Sequence, residues 1–263
     1  MKLISLNTWG GKYFEPLINF IKQNSQDTDI FCFQEIYDTK SDVKQYKNII
    51  RANLLKELKN ILPTFQTFYF PILFGFDDEA EAVDFQLNHG PAIFIKKNIP
   101  LDSHKDYFIY KDQSLKSLKK DFSNLATPLQ YIGLNLNGKK FSIFNFHGTP
   151  YPLTHKLDSP NRLAQAKKAK HIIDSKSGAK ILVGDFNLFP QTRSLRILGE
   201  GMQNLIMKYH IERTRSNLNP FYGKPDFQKF ADYTFVTSDV NVTSFQVPDV
   251  EISDHLPMIL EFS

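Results

Sequence analysis

Short apolar runs that end in a polar side chain recur along this chain, and they constrain its fold more than any other feature. The runs LISLN, IFCFQE, FSIFNFH and ILVGDFN end at or beside Asn7, Glu35, His147, Asp185 and Asn187, and the later segments FADYTFV and EISDH carry Asp232, Asp254 and His255. Each run has the length and apolar content of a buried strand. A rigid scaffold commonly presents a site through polar residues at the tips of such strands. We therefore expect a strand-rich fold whose functional residues gather at strand ends.

The rest of the sequence predicts helices between the strands. Apolar spacing and caps predict helices over residues 14–24, 41–62, 160–175 and 192–199, and strands over residues 2–7, 30–33, 65–73, 90–96, 129–136, 140–146, 179–183, 231–237, 240–247 and 258–262. Asn137-Gly138 is typical of a two-residue hairpin turn. Residues 102–127 are polar and lysine-rich, and we predict an insertion or a loop there. Strand clusters separated by helices favour an α/β fold in which sheets pack on each other with helices outside.

Composition narrows the class of protein. The 263 residues are 41% hydrophobic and 23% charged, which is typical of a soluble globular protein with a full core. We expect residues 1–263 to form a single domain. The 24 phenylalanines fit a strand-rich aromatic core. A formal net charge of +4 suits a negatively charged substrate, but it falls short of the basic surface of a dedicated nucleic-acid binder.

The single cysteine and the N-terminal segment predict a reducing, cytoplasmic location. Cys32 lies in an apolar run, which favours a buried thiol over a nucleophile, and a lone cysteine forms no internal disulfide. Met1 leads directly into a predicted strand, without the pattern of a signal peptide. No apolar stretch approaches the roughly 20 residues that span a bilayer, so we expect no stable membrane association. The sequence carries no signal about the oligomeric state.

Taken singly, most of the strand-end residues have an ordinary structural explanation. A carboxylate such as Glu35 or Asp185 often caps a helix or fills a turn after a strand. A lone histidine such as His147 is more often structural than catalytic. The pair Asp254-His255 is a stronger signal, because two ionisable groups directly precede one buried strand. The combination of all these residues on one chain is what indicates a catalytic site.

The order of these motifs resembles that of the endonuclease/exonuclease/phosphatase superfamily. The matching segments are LNTW, QE, FHGT, GDFN, ADYTFV and SDHLP, and they extend from residue 7 to residue 255. GDFN together with SDH is the most specific pair. The superfamily includes deoxyribonuclease I, exonuclease III-like repair enzymes, tyrosyl-DNA phosphodiesterases, deadenylases, bacterial sphingomyelinases and inositol polyphosphate 5-phosphatases. The resemblance implies a four-layered α/β sandwich of two packed mixed sheets flanked by helices, with the site at one edge of the sheets.

The resemblance also implies a role for each motif residue. The metal ligands would be Asn7, Glu35 and Asp254, with Glu35 as the main ligand, and the catalytic residues would be His147, Asp185, Asn187, Asp232 and His255. Asp185 and Asn187 would hold the attacking water and the phosphate. His255 would pair with Asp232, and His147 would contact a phosphate oxygen.

The chemistry of phosphate-ester hydrolysis agrees with these roles. A phosphodiester repels hydroxide, so a cation must neutralise charge before water attacks. Mg²⁺, with Mn²⁺ as an alternative, suits carboxylates and an amide oxygen, whereas zinc is less suited to a set without cysteine. A His–Asp pair fixes the imidazole tautomer and favours its cationic form. The sequence leaves open whether Asp185 or His255 accepts the proton of the water.

The substrate is less constrained than the reaction. Exonuclease III-like enzymes usually carry an asparagine-proline pair where this chain has FHGT, so His147 favours the other branches of the superfamily. We expect an intracellular nuclease or a phosphodiesterase of nucleotide ends, with nucleic acid as its partner. A phosphatase or a sphingomyelinase-like phospholipid phosphodiesterase is the alternative. Arg213 and Arg215 could bind a second phosphate, and lysines at 96–97, 116–120, 139–140 and 167–170 could contact a nucleic-acid backbone or form a solvated face.

Two other hypotheses compete with that of a metal-dependent phosphate-ester hydrolase. The chain could be a catalytically silent binding module, but that reading predicts loss of motif residues, and all of them are present. A serine hydrolase would require a Gly-x-Ser-x-Gly elbow, and the sequence contains none.

Overall fold

A computed structural model describes residues 1–47, 50–77, 79, 81–112, 125–136, 138–150 and 156–263. In this part of the chain the order is β1 (Lys2–Asn7), α1 (Phe14–Asn24), β2 (Ile30–Asp38), α2 (Leu54–Ile61), β3 (Phe65–Tyr69), β4 (Leu73–Phe74), β5 (Asn88–Lys96), β6 (Leu101–Tyr110), β7 (Thr127–Leu136), β8 (Lys139–His147), α3 (Pro160–Asp174), β9 (Ala179–Asp185), α4 (Arg193–Leu198), β10 (Gln203–Asn204), α5 (Leu205–Lys208), β11 (Asp232–Val236), β12 (Val242–Gln246) and β13 (Met258–Phe262). None of the helices in these ranges has the length and apolar character that crossing a lipid bilayer requires.

The strands form two mixed sheets. The first has the order β12-β13-β1-β2-β5-β3, with β4 also paired to β5, and the second has the order β10-β11-β9-β8-β7-β6. The pairs β1–β2 and β8–β9 are parallel, and the other described pairs are antiparallel. The predicted fold class, a four-layered α/β sandwich with two packed mixed sheets flanked by helices, is confirmed.

Alternating side chains on the first sheet explain the layers. Ile4 on β1 and Phe31 on β2 are fully buried and pack with Leu17 of α1 and Leu58 of α2. Because successive side chains of a strand point to opposite faces, their neighbours Leu3 and Ile30 face the other way. These neighbours belong to the core that the second sheet shares, and α3 contributes to the same core. Each fully buried side chain of this size stabilises the fold by about 1.5–3 kcal/mol.

A buried polar contact joins the two sheets near the site. The Gln34 side chain on β2 donates from Nε2 to Asn145 Oδ1 on β8 over 2.6 Å. Asn145 Nδ2 donates in turn to the Phe33 carbonyl at 3.1 Å and to Gln130 Oε1 at 3.2 Å. Gln34, Gln130 and Asn145 are all fully buried. A buried polar group without a partner is costly, so these contacts favour one alignment of the two sheets.

Strand register explains why the polar residues meet. In the first sheet Asn7 lies opposite Gln34, directly before Glu35. In the second sheet Asp185 lies opposite His147 on one side and opposite Asp232 on the other. The parallel strands end, and the antiparallel strand begins, at the same edge of each sheet. The two facing edges therefore bring residues from distant parts of the sequence into one place.

The predicted helix over residues 41–62 is wrong for most of its length. Of the residues described in this segment, Leu54–Ile61 alone are helical, and those between Ser41 and Asn53 form loop structure with a bridge between Tyr46 and Ile50. Ile50 is buried there in a small cluster with Tyr37. Tertiary packing against the first sheet has overridden the helical propensity of this segment.

Two further predictions differ from the structure. Leu101–Tyr110 forms the edge strand β6, whereas we expected an insertion or a loop over residues 102–127; residues 113–124 lie outside the described ranges. An edge strand exposes many side chains, which is why its polar sequence conceals it. The strand predicted over residues 65–73 divides into β3 and β4 around Pro71, which lacks a backbone N–H.

Other predictions are confirmed. Ser159 caps α3 by accepting a hydrogen bond from the Arg162 amide, with Pro160 in the first turn. Leu136 pairs with Lys139, the register that a two-residue turn produces, although Asn137 itself lies outside the described residues.

Replacing Asn145 should destabilise the fold. Asn145→Leu leaves Gln34, Gln130 and a backbone carbonyl without their buried partner, so we expect the free energy of unfolding to fall by roughly 2–4 kcal/mol. Urea denaturation of both proteins measures the change. Asn161→Leu, at an exposed position of α3, is the matched control and should change stability by less than about 0.5 kcal/mol. An unchanged midpoint for Asn145→Leu would show that the contact between the sheets is dispensable.

Candidate active site

The Asn7 side chain connects the two sheets at their shared edge. Its Nδ2 donates to Glu35 Oε1 at 2.9 Å and to Asp185 Oδ2 at 3.1 Å, so one amide bonds carboxylates from both sheets. Its Oδ1 accepts a hydrogen bond from the Trp9 amide at 3.0 Å. The resemblance implied an amide oxygen near the metal. In this geometry the amide nitrogen faces the carboxylates and the oxygen faces Trp9.

Glu35 owes its position to an irregularity in β2. The pairing of β2 with β5 shifts register between Phe33 and Ile36, and Glu35 adopts a left-handed backbone with φ of 59°. The Thr8 hydroxyl donates to the Glu35 carbonyl at 3.0 Å and holds this turn. Left-handed backbone is uncommon for a residue other than glycine and concentrates at functional sites. The Glu35 side chain remains 28% exposed, which leaves its carboxylate accessible from solvent.

His147 completes a group that could hold a cation. Its Nε2 lies 3.9 Å from Glu35 Oε1 and 3.9 Å from Asp185 Oδ2, and one ligand atom from each of the three residues lies within 4.8 Å of the others. Both ring nitrogens of His147 are buried without a hydrogen-bond partner among the described residues. Two carboxylates and unsatisfied imidazole nitrogens form a donor set that fits a divalent cation.

Asp185 is the most enclosed carboxylate of the site. Besides the bond from Asn7, its Oδ1 accepts a hydrogen bond from the Asn187 amide at 2.8 Å. Burial alone would raise the pKa of this carboxyl, but His255, Lys156 and other cationic groups around it lower the pKa well below its usual range. Asp185 is therefore a carboxylate at neutral pH.

His255 and Asp232 form a buried pair. His255 Nδ1 lies 2.9 and 2.8 Å from the two Asp232 oxygens, which leaves Nε2 directed toward the rest of the site at 3.7 Å from Asp185 Oδ2. Burial lowers the pKa of His255, but Asp232 and, to a lesser extent, Asp254 and Asp185 outweigh this and raise the pKa to about 9. The imidazole is therefore held in the cationic form that a His–Asp pair favours.

Asp254 lies beside His255 and is not among the three residues whose ligand atoms group together at Glu35, His147 and Asp185. Its Oδ1 is 3.7 Å from His255 Nε2, and its Oδ2 accepts hydrogen bonds from Arg215 at 3.2 Å and from Asn219 at 3.1 Å. Arg215 is buried against this carboxylate. The sequence left the role of this arginine open, and the structure gives it an ion pair with Asp254.

Asn187 is held by two cationic side chains that the sequence did not indicate as site residues. Lys156 Nζ donates to Asn187 Oδ1, while Asn187 Nδ2 donates to the Gly148 carbonyl at 3.1 Å. Arg162 donates from Nη1 to the Asn187 carbonyl at 2.5 Å and from Nη2 to the Thr149 carbonyl at 2.8 Å. Burial, followed by repulsion from the Arg215 cation, lowers the pKa of Lys156 to about 7.

The sequence contained a signal that could have identified Arg162 as a site residue. Arg162 is on the buried face of α3 together with Gln165, Ala166 and Ala169, at the spacing of successive helical turns. An arginine on an otherwise buried face must have partners, so its helical position could have identified it. Lys156 follows residues outside the described ranges and belongs to no helix or strand, so no periodicity marks it.

The chain belongs to the endonuclease/exonuclease/phosphatase family, because a model of that family matches residues 4–255. The match extends over every motif residue from Asn7 to His255. It makes the protein an enzyme of the metal-dependent phosphoester hydrolases. No curated protein sequence matches the chain.

Solved structures of the family share its fold. A mannosyl-6-phosphatase from Bacteroides thetaiotaomicron is 19% identical with a TM-score of 0.67, over 100% of this chain and 99% of that one. A family protein from Leptotrichia buccalis is 17% identical with a TM-score of 0.72, over 100% and 99%. D. rerio TDP2, humanized by 14 mutations, is 14% identical with a TM-score of 0.68, over 100% and 98%. At these identities the likeness establishes the fold alone.

The pKa shifts of His255 and Lys156 predict opposite effects of pH on stability. The pKa of His255 is raised from 6.5 to about 9 on folding, so its stabilisation is complete below pH 6.5 and is lost as pH rises toward 9. The pKa of Lys156 is lowered from 10.5 to about 7, so its destabilisation is complete below pH 7 and is relieved as pH rises toward 10.5. Over pH 7–9 the two effects therefore oppose each other.

Replacing Lys156 should reveal how the pKa shift of His255 makes stability depend on pH. In Lys156→Met, the free energy of unfolding relative to the unchanged protein should fall by up to about 1.4 kcal/mol per pH unit over this range. Urea denaturation at pH 7, 8 and 9 in excess chelator measures the difference, and the exposed Lys111→Met is the control. Parallel pH profiles for Lys156→Met and the unchanged protein would contradict the prediction.

Proposed function

We propose that this protein hydrolyses phosphate esters with Mg²⁺, or Mn²⁺, by in-line attack of a water molecule. The observation that carries the proposal is the position of Asp185. Its carboxylate lies within 4 Å of His147 Nε2 and His255 Nε2, and it accepts a hydrogen bond from Asn7. A water molecule beside Asp185 would thus be near both a cation site and an imidazolium.

The metal would be held mainly by Glu35. The family resemblance implies Asn7 and Asp254 as further metal ligands. The interatomic distances instead favour His147 and Asp185 as the nearest neighbours of a cation at Glu35. When bound, the cation would neutralise the phosphoryl oxygens and so make attack by water feasible. Mg²⁺ suits the carboxylates of Glu35 and Asp185 because it prefers oxygen ligands and needs only one or two carboxylates, which leaves the His147 imidazole for the phosphoryl group.

Asp185 is the better candidate for the general base. His255 already carries a proton at neutral pH, because its pKa is raised to about 9, so it cannot accept another. Asp185 is ionised and can accept the proton of the water. The His255 imidazolium, held by Asp232, would instead stabilise the negative charge that develops on the phosphoryl oxygens. This division of roles is our proposal for the choice between Asp185 and His255 that the sequence left open.

Asn187 and His147 would orient the phosphoryl group. Asn187 Oδ1 already accepts a hydrogen bond from Lys156. Of the two hydrogens on Asn187 Nδ2, one is donated to the Gly148 carbonyl, so the other is available to a substrate oxygen. The unsatisfied nitrogens of His147 offer a further donor. Such preorganised donors are typical of sites that stabilise a transition-state anion.

We infer that nucleic acid or nucleotide ends are the first substrate class to test. The family assignment and the histidine at position 147 support this choice, as does the positive net charge. A phosphatase acting on small phosphomonoesters is the second candidate, favoured by a half-enclosed cavity of about 190 Å³ that adjoins Glu35 and His147. The cytoplasmic location stays a prediction, supported by a single buried cysteine.

Hydrolysis of bis-p-nitrophenyl phosphate tests the mechanism. Activity should depend on added Mg²⁺ or Mn²⁺ and disappear in excess chelator. Asp185→Asn should lower kcat by roughly 10²–10⁴-fold, because it removes the base but keeps the shape of the side chain. Asp174→Asn, an exposed carboxylate on α3, is the matched control and should leave kcat unchanged. Activity that persists in chelator, or that survives in Glu35→Ala and His255→Ala, would refute the mechanism.

A panel of substrates tests the substrate class. It contains single- and double-stranded DNA, abasic DNA, RNA, 5′-phosphotyrosyl ends, sphingomyelin and inositol phosphates, each with and without Mg²⁺. Turnover of DNA, RNA or nucleotide ends supports the first choice. Turnover of lipid or inositol phosphates alone would exclude it and leave the metal-dependent mechanism standing.

A further inference from the structure

A cavity of about 190 Å³ opens next to the candidate active site. Glu35 and His147 form part of its wall, and Trp9, Tyr37 and His89 form another part. We name this cavity the Trp9 pocket. The site chemistry described above uses only Glu35 and His147 of its lining, so the rest of the pocket has no role in that chemistry.

We propose that the Trp9 pocket binds an uncharged, ring-bearing group adjoining the scissile phosphate. The enzyme would therefore act on terminal phosphate esters and not on phosphodiesters inside a continuous nucleic-acid strand. The proposal rests on the proposed function, because it places the phosphate beside Glu35 and His147. It adds the position and the chemical class of the group to which the phosphate is attached.

The walls of the pocket suit the faces of a ring. The Trp9 indole lines it, and the rings of Tyr37 and His89 lie with centroids 4.7 Å apart. Leu73 and Leu125, both buried, add apolar surface. Flat aromatic surfaces stack on bases and on the apolar faces of sugar rings, and they do so with little dependence on sequence.

The backbone holds Trp9 in this wall at an energetic cost. Trp9 has a φ of 52°, followed by Gly10 at 61° and Gly11 at 70°. A Cβ at Gly10 would lie 2.8 Å from Tyr37 Cε2, so only glycine fits between the turn and the aromatic wall. A bulky residue in left-handed backbone persists only where its surroundings enforce it, and such residues cluster at functional sites.

The turn is also tied to the active site. The Trp9 amide donates to Asn7 Oδ1, and the other end of the Asn7 amide bonds Glu35 and Asp185. Glu35 itself adopts left-handed backbone. The pocket wall and the metal-binding carboxylate are thus positioned by one connected set of contacts.

Charge favours an uncharged occupant. The lining residues include two carboxylates, Glu35 and Asp77, and one ammonium, Lys12, which lies 4.8 Å over the Trp9 ring. Asp77 shares Lys47, at 2.7 Å, with two neighbouring glutamates, each at 3.0 Å, so this cluster carries more negative than positive charge. With Glu35 engaged by a cation, the Lys12 ammonium does not outweigh that excess, and the pocket offers no net positive charge for a second phosphate. Hydroxyl or amino groups on a ring can use the same donors and acceptors.

Size favours a terminal group. The volume is below the roughly 300–1,000 Å³ of pockets that bury drug-sized ligands, so the pocket takes about one ring. In the interior of a nucleic-acid strand, each sugar carries phosphates on both sides. Placing such a unit in the pocket would bring a second negative charge to a wall that already carries the Asp77 carboxylate. A chain end or a phosphomonoester carries no such second charge.

Trp9 provides a direct readout, because it is the only tryptophan in the chain. Asp185→Asn protein, whose turnover should be roughly 10²–10⁴-fold slower, is titrated in Mg²⁺ with adenosine 5′-monophosphate, glucose 6-phosphate or glycerol 3-phosphate, and tryptophan fluorescence is recorded before hydrolysis becomes measurable. At least one ring-bearing ester should change the fluorescence with a Kd at least ~10-fold below that of glycerol 3-phosphate. The stronger of the two identifies a nucleoside or a sugar as the source of the ring. Equal affinity for all three would overturn the proposal.

Turnover gives an independent test. The ratio of kcat/KM for the preferred ring-bearing ester to that for glycerol 3-phosphate should fall at least ~10-fold in Leu73→Trp, which fills the pocket, and in Trp9→Ala, which removes its wall. Met207→Trp, at a position 64% exposed outside the pocket, should keep the ratio. An unchanged ratio in both pocket variants, or cleavage of circular single-stranded DNA at the rate of linear DNA, would refute the assignment. If the protein hydrolyses no ester at all, the proposed function fails, and the fluorescence titration still decides whether the pocket binds rings.

Discussion

The site depends on one amide that spans two sheets. Asn7 Nδ2 bonds Glu35 of the first sheet and Asp185 of the second, so the separation of these carboxylates follows from how the sheets pack. The contact between Gln34 and Asn145 joins the same two sheets and holds them in alignment. Hydrophobic packing drives the sheets together but is nondirectional. The buried hydrogen bonds are what select a single alignment, and catalytic geometry tolerates little deviation from it.

Charge balance around Asp185 gives each ionisable group its protonation state. The carboxylate is surrounded by His255, Lys156, His147 and Arg215, which keep it ionised despite burial. The pKa of Lys156 is lowered toward neutrality, because burial and the nearby Arg215 cation disfavour its charged form. His255 keeps its proton because three carboxylates face it. The protonation state of each group thus follows from its surroundings and not from residue type.

The sequence predicted the layers, most of the helices and strands, and the residues that meet at the sheet edges, because these depend on local periodicity and on strand ends. It could not predict Lys156, since a lysine in a loop is ordinary and its contact with Asn187 exists only after folding. The helix expected over residues 41–62 failed because Ile50 packs against Tyr37, a contact absent from any local pattern. Strand β6 was hidden because an edge strand exposes polar side chains on both faces. The role proposed for Trp9 could not be predicted because it rests on backbone angles, which the motif LNTW does not reveal.

Through the hydrogen bond from its amide to Asn7, Trp9 would link the proposed recognition of a ring to the proposed chemistry. A ring pressed against the indole would stabilise the left-handed turn, and the turn fixes the side chain that positions Glu35 and Asp185. Affinity for the non-reacting part of a substrate would then appear partly as a faster chemical step and not only as tighter binding. In such an arrangement a truncated substrate loses turnover as well as affinity, and selectivity resides in the rate of the reaction.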